Sequence, residues 1–297
     1  RRSLLDDPTL QNSLFQDLIG QSSAVSLLKA VLLKERFAPA YLFAGPDGVG
    51  RKLAALRFFE GQLNGGEPLI RDRRRLEACN HPDFLWVEPT YLHQGKLVPK
   101  SKAEAEGVSR RSPPKVRLDQ IREVSSFLGR RPVESKRGMV LIEAADAMQE
   151  AASNALLKTL EEPGHGLIVL ICSGPEQLLS TIRSRCQLVL FSSLDPHSLQ
   201  QVFKRLGLEE NIDVSFNQPE LLRLAGGSPG ALLLHRAAMN SLPEDLCLRL
   251  RKLPKSSIEV LALARDLTES LTGEQQLWLI DWLQQYLWLQ NSNTPSL

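Results

Sequence analysis

The chain has 297 residues, 42% hydrophobic and 24% charged, with a net charge of +2 and four cysteines. That composition excludes a disordered polyelectrolyte, a collagen-like repeat and a disulfide scaffold, and leaves room for about two domains of ~150 residues each. Its apolar stretches are short and broken by charges, against the ~20 residues a membrane span needs, so no membrane partner is expected.

Arg1 and Arg2 are followed by Asp6, Asp7 and Pro8, where a secretory signal would place its apolar core, so no targeting segment is expected. Widely spaced Cys79, Cys172, Cys186 and Cys247 read as free thiols of a reducing compartment, hence a cytoplasmic protein. Residues 1–191 alternate short apolar runs with helical patterns. The runs 41–44, 84–87, 139–142, 167–172 and 187–191 are nearly continuous in apolar residues, as strands buried on both faces are. Helical stretches at 52–60, 119–128 and 149–161 lie between them, the last stopped by Pro163-Gly164. This order predicts an α/β fold, a parallel five-stranded sheet with helices on both faces.

Segment 88–117 breaks the pattern. It carries Gly95, Pro99, Gly107, Pro113 and Pro114 among Lys96, Lys100, Lys102, Arg110, Arg111, Lys115 and Arg117, and reads as a mobile basic insertion. Residues 51–140 hold 19 basic and 11 acidic side chains, a local +8, and the remainder 17 against 23, or −6. Such a segment suits an anionic partner such as nucleic acid, and more readily reads as a solvated loop.

After Phe191 the strands stop. Residues 192–238 read as a small helical lid: Pro196 opens a helix over 197–206, and a second begins at 221–224 before Gly226-Gly227-Ser228-Pro229-Gly230. Residues 239–297 read as all helix, a collar or oligomerisation domain. Trp278, Trp282 and Tyr286, with Leu283 and Leu287 beside them, fall on one helical stripe that suits either a core or another subunit.

The run Gly45-Pro-Asp-Gly48-Val-Gly50-Arg51-Lys52 directly follows the first strand. Its glycines are spaced as in loops whose backbone N–H groups and following helix cradle phosphate. Two active groups are missing. Arg51 stands where a lysine would reach the phosphates, and Lys52 where a hydroxyl would hold magnesium. Glu143, after the third run, can stand in for the metal carboxylate, but Ala144 holds the place of the water-activating one. The backbone cradle survives, which leaves weak binding of ATP or ADP open; no cofactor is required.

The runs Phe15-Gln-Asp-Leu-Ile-Gly-Gln21 and Ala40–Gly50, with Asn154-Ala-Leu-Leu-Lys-Thr-Leu-Glu-Glu-Pro163 and Thr181-Ile-Arg-Ser-Arg-Cys-Gln187, resemble bacterial clamp-loader AAA+ subunits of DNA polymerase III over residues 12–235. The resemblance implies a three-domain subunit of a five-membered ring that loads a sliding clamp on primer-template DNA, with gamma/tau and delta subunits as partners. Ser184-Arg185-Cys186 then matches the motif supplying an arginine finger to a neighbour's ATP, with Arg183 the alternative residue. Ser173 matches a sensor hydroxyl, while Gly230 stands where a second sensor arginine would be. These losses point to a subunit without its own ATPase, against an ATP-hydrolysing gamma/tau-like member. Lys52 taking over the phosphate role, or a DNA-binding protein acting through 96–117, are the alternatives. Cys79 with His81 does not make a tetrahedral zinc site, so no metal is expected. His93, His165, His197 and His235 read as surface residues.

Overall fold

A computed structural model describes residues 14–108, 112–208, 218–252 and 254–292. Arg1, Arg2, Asp6, Asp7 and Pro8 at the N-terminus, and Arg110 and Arg111 of the basic insertion, lie outside the described residues. Two compact units divide the chain, Arg1–Ser192 and Ser193–Leu297.

Unit 1 runs α1 (Ser22–Lys34), β1 (Ala40–Ala44), α2 (Arg51–Leu63), α3 (Ile70–Glu77), β2 (Phe84–Val87), β3 (Thr90–His93), β4 (Lys96–Pro99), α4 (Leu118–Leu128), β5 (Gly138–Ile142), α5 (Glu150–Glu161), β6 (Gly166–Cys172), α6 (Ser180–Arg183) and β7 (Gln187–Leu190). Five strands form one parallel sheet in the order β2-β5-β6-β1-β7. Every residue of β1, β5 and β6 is buried. That accounts for their continuous apolar sequence: helices cover both faces. On one face Leu42, Val140, Ile168 and Leu170 pack against Ile121 and Val124 of α4 and Leu156 of α5. On the other, Tyr41 meets Phe58 of α2 edge-on at 5.0 Å.

The insertion is not the unstructured loop the sequence suggests. Strands β3 and β4 pair antiparallel, Thr90 opposite Pro99 and His93 opposite Lys96, and Thr90 bonds Lys115 on its other side. Gln94 and Gly95 both take positive φ, 48° and 77°, as a two-residue hairpin turn with the right twist requires. Each strand is only four residues long, and glutamine is an unusual first turn residue, so the periodicity is hard to read. Tyr91, Val98, Ala103 and Val116 turn inward and are buried.

Unit 2 is helical: α7 (Pro196–Arg205), α8 (Pro219–Ala225), α9 (Pro229–Asn240), α10 (Glu244–Lys252), α11 (Ser257–Ser270) and α12 (Gly273–Ser292). Asp195 caps α7, accepting the N–H groups of His197 and Ser198, and Pro196 sits in the first turn, where its missing donor is not needed. The stretches expected as lid and collar share one core, from Leu199 and Phe203 on α7 to Leu279 and Trp282 on α12. Trp282 is 1% exposed and stacks on Tyr286 at 5.0 Å, so the aromatic stripe faces this core. Leu277, Ile280 and Trp288 of the same helix are exposed.

Candidate functional site

Parallel strands end together, and the loops at their C-terminal edge meet. Here that edge gathers the 45–52 loop after β1, Glu143 after β5 and Ser173 after β6. Gly45, Gly48 and Gly50 all have positive φ. A Cβ on Gly45 would run into the Phe191 carbonyl, and one on Gly50 would sit 2.6 Å from Leu18. The glycines thus serve the loop's own packing, as well as any approach of phosphate.

The charged groups of this loop bond within the protein. Arg51 is 6% exposed; its Nη1 donates to the Cys172 carbonyl and its Nη2 to Asp47. Ser173 Oγ donates to the same Asp47 carboxylate at 2.9 Å, and the Ser173 N–H donates to Asp146 at 3.1 Å. Lys52 Nζ lies 2.8 Å from Glu143 Oε1 and 3.4 Å above the Trp86 ring centre. Trp86 Nε1 donates to the same Glu143 oxygen at 2.9 Å. A buried guanidinium is tolerated only when its donors are satisfied, and Cys172 and Asp47 satisfy this one. Ala144 sits in the left-handed region, φ 49°, and offers no side chain to a water. These residues do not fit a magnesium nucleotide. The hydroxyl is replaced by an ammonium, and the remaining carboxylate is already paired with it.

Ser184 and Arg185 lie elsewhere. In the β1–β7 register Tyr41 faces Gln187 and Ala44 faces Leu190. The loop starting at Gly45 therefore leaves the C-terminal edge of the sheet, whereas Arg185 enters at the N-terminal edge, about 13 Å of strand away. Arg185 keeps 36% of its side chain exposed; Nη1 donates to the Thr181 carbonyl and Nη2 to Glu161 Oε1, both at 2.9 Å. Ser184 Oγ also donates to Thr181 O, at 3.0 Å. Burial pushes the Cys186 thiol up to about 12, so this cysteine is a packing group and not a nucleophile. Cys172 is raised to about 12 by burial first, then by Asp146.

Two features escaped the sequence reading. A cavity of about 720 Å³ opens between α4 and α5, lined by Arg122, Arg130, Arg131 and Lys158 with Leu128 and Ala155. Asp83 is 2% exposed and accepts the backbone N–H groups of Val133, Glu134 and Ser135 at 2.6–2.8 Å. Burial alone would raise its pKa; those donors outweigh it and hold the carboxyl below the usual range. The Asp83 N–H in turn donates to His81 Nδ1 at 3.1 Å. A signal existed in His81-Pro82-Asp83, but nothing local to it indicates the 133–135 loop. His235, expected at the surface, is half-buried and accepts the Trp278 indole N–H at 3.0 Å. Among the described residues no group of three His, Cys, Asp or Glu is placed to hold a metal, and no helix is long and apolar enough to cross a membrane.

Comparison with known proteins shows the family. The family model described as DNA polymerase III, delta subunit, matches residues 20–195, and that of the cyanobacterial DNA polymerase III delta prime C-terminal domain matches 197–297. The delta prime subunit of Bacillus subtilis is 33% identical over 186 residues, 61% of this chain and 50% of that protein. That of Pseudomonas aeruginosa is 32% identical over 259 residues, 84% of this chain and 70% of that protein. The chain thus matches half the length of the first relative and more of the second. A DNA polymerase III gamma subunit-related protein from Thermotoga maritima shares the fold, with a TM-score of 0.50 at 20% identity over 93% of this chain and 86% of that one.

Proposed function

The chain belongs to the DNA polymerase III delta prime family, and we propose that it is a clamp-loader subunit without its own ATPase, which lends Arg185 to ATP on a neighbouring gamma/tau subunit. The observation that carries this reading is the placement of Arg185 and the phosphate-type loop at opposite edges of one sheet. A guanidinium at the N-terminal edge cannot reach a phosphate at the C-terminal edge of its own chain, but it is exposed to another chain. Charge on a transferring phosphoryl is stabilised by such a group, typically by ~10³–10⁵ in rate, and delivery in trans makes hydrolysis conditional on assembly. Lys52, held by Glu143 and Trp86, is poorly placed to revive the local site. ATP or ADP would bind there weakly or not at all.

Partners are gamma/tau and delta subunits, with the helical unit joining the ring and the sliding clamp met through the complex, in the cytoplasm. The test is reconstitution with gamma/tau and delta. Arg185→Ala leaves assembly intact and lowers DNA-stimulated ATPase, while the isolated chain hydrolyses ATP at background. Normal ATPase with the variant removes the finger role.

Contact with primer-template DNA finds its support in the α4–α5 cavity, where Arg122, Arg130, Arg131 and Lys158 converge, rather than in the hairpin. Over residues 88–108 the three lysines are balanced by Glu88, Glu104 and Glu106. Lys158→Glu is expected to weaken DNA retention by the complex and to reduce the slope of log affinity on log salt by about 1. An unchanged slope removes this contact.

A further inference from the structure

Helix α5 ends against the usual electrostatic preference. The C-terminal end of a helix carries partial negative charge and favours cations, yet α5 closes on Glu161 with Glu162 as its cap residue. Lys158 is the one basic residue of its last turn. A local rule broken is a mark of functional sites, and Glu161 lies outside the core, with 49% of its side chain exposed. What Glu161 does is accept Arg185 Nη2 at 2.9 Å, across 24 residues of sequence. Glu162 turns to the α4–α5 cavity instead.

We propose that Glu161 is a parking carboxylate for Arg185, standing in the free subunit for the phosphoryl oxygen of a neighbour's nucleotide. This inference rests on the finger reading above. The guanidinium has donors to spare: Nη1 is held by the Thr181 carbonyl, which a phosphate contact does not disturb. Nη2 is the group that exchanges. Carboxylate and phosphoryl oxygens are both anionic acceptors for the planar fork, but they repel each other, so Nη2 leaves Glu161 when it meets phosphate. Exchange then leaves Glu161 unpaired at the negative end of α5, which favours return of the arginine once phosphate is released. The pair is exposed and therefore weak. It sets a threshold for engagement, not a lock, and Glu161 acts through Arg185 as a positioning residue.

The test is single-turnover ATP hydrolysis by the complex reconstituted with gamma/tau and delta. Glu161→Gln keeps the shape and removes the charge, and is expected to raise the hydrolysis rate about two- to five-fold with the KM for ATP unchanged. Glu161→Asp stays near the parent rate, and Glu161→Gln adds nothing in an Arg185→Ala background. An unchanged rate for Glu161→Gln overturns the parking role. So does a lower rate, which would make Glu161 a support for the engaged finger. Arg185→Ala, run beside it, separates the two failures. If it lowers hydrolysis while Glu161→Gln does nothing, only the parking role falls; if it changes nothing, the finger itself falls.

Discussion

At the C-terminal edge of the sheet Arg51 is 6% exposed and bonded through both Nη atoms inside the protein, whereas at the N-terminal edge Arg185 keeps 36% of its side chain in solvent and shares one exposed ion pair. Both are arginines beside one sheet. Burial and partners separate them. Arg51 is committed to the fold, since it ties the end of β6 to the loop after β1. Arg185 is held at the surface by an exposed ion pair and one backbone carbonyl.

The largest effect that tests this contrast is on stability. Arg51→Ala removes one buried hydrogen bond, to the Cys172 carbonyl, and one part-buried bond to Asp47, and opens space under the loop, an expected loss of about 2–3 kcal/mol in urea unfolding. Arg185→Ala, at an exposed position, is expected to stay within about 0.5 kcal/mol. Similar losses for the two would break the comparison. A smaller effect asks whether the edge or the partners matter. His81 and Asp83 precede β2 at the N-terminal edge, yet they form a closed corner like that of Arg51. Burial first, then the charge of Arg75, lowers the pKa of His81. The unfolded chain therefore takes up this proton first, at about pH 6.5. The contribution is present above that value and is lost as the pH falls below it, at no more than about 1.4 kcal/mol per pH unit. The Asp83 N–H needs Nδ1 unprotonated, which ties the loss to this bond. Asp83, held below its usual range, gives up its own contribution only in more acid solution, as the pH falls through its lowered value. His81→Asn, whose amide oxygen can accept the same N–H, is expected to flatten the slope between pH 7 and 5. A slope that persists would place the titration elsewhere.

How far the sequence reaches follows the range of each interaction. Continuous apolar runs in β1, β5 and β6 announced strands buried on both faces, because such burial leaves no polar position in the period. The loop at 45–52 was legible because glycine spacing is a backbone property, and the missing hydroxyl and second carboxylate because Lys52 and Ala144 lack those atoms in any conformation. The 184–186 motif could be found by resemblance, though not its place at the sheet edge opposite the 45–52 loop. That place follows from the parallel register of β1 and β7, a property of the sheet. The hairpin was missed because two four-residue strands carry too little alternation to stand out. Trp282 could have faced a neighbour until the described helices of this unit closed around one core.

Sequence by itself determined which groups the chain owns and which short elements it forms, since both depend on residues within a turn or a strand of one another. Only the tertiary structure decided how those groups are spent. Arg51 finds the Cys172 carbonyl 121 residues away, Asp83 finds its donors 50 to 52 away and Arg185 finds Glu161 24 away. Such partners are chosen by where the backbone brings distant segments together, and no local pattern encodes that meeting.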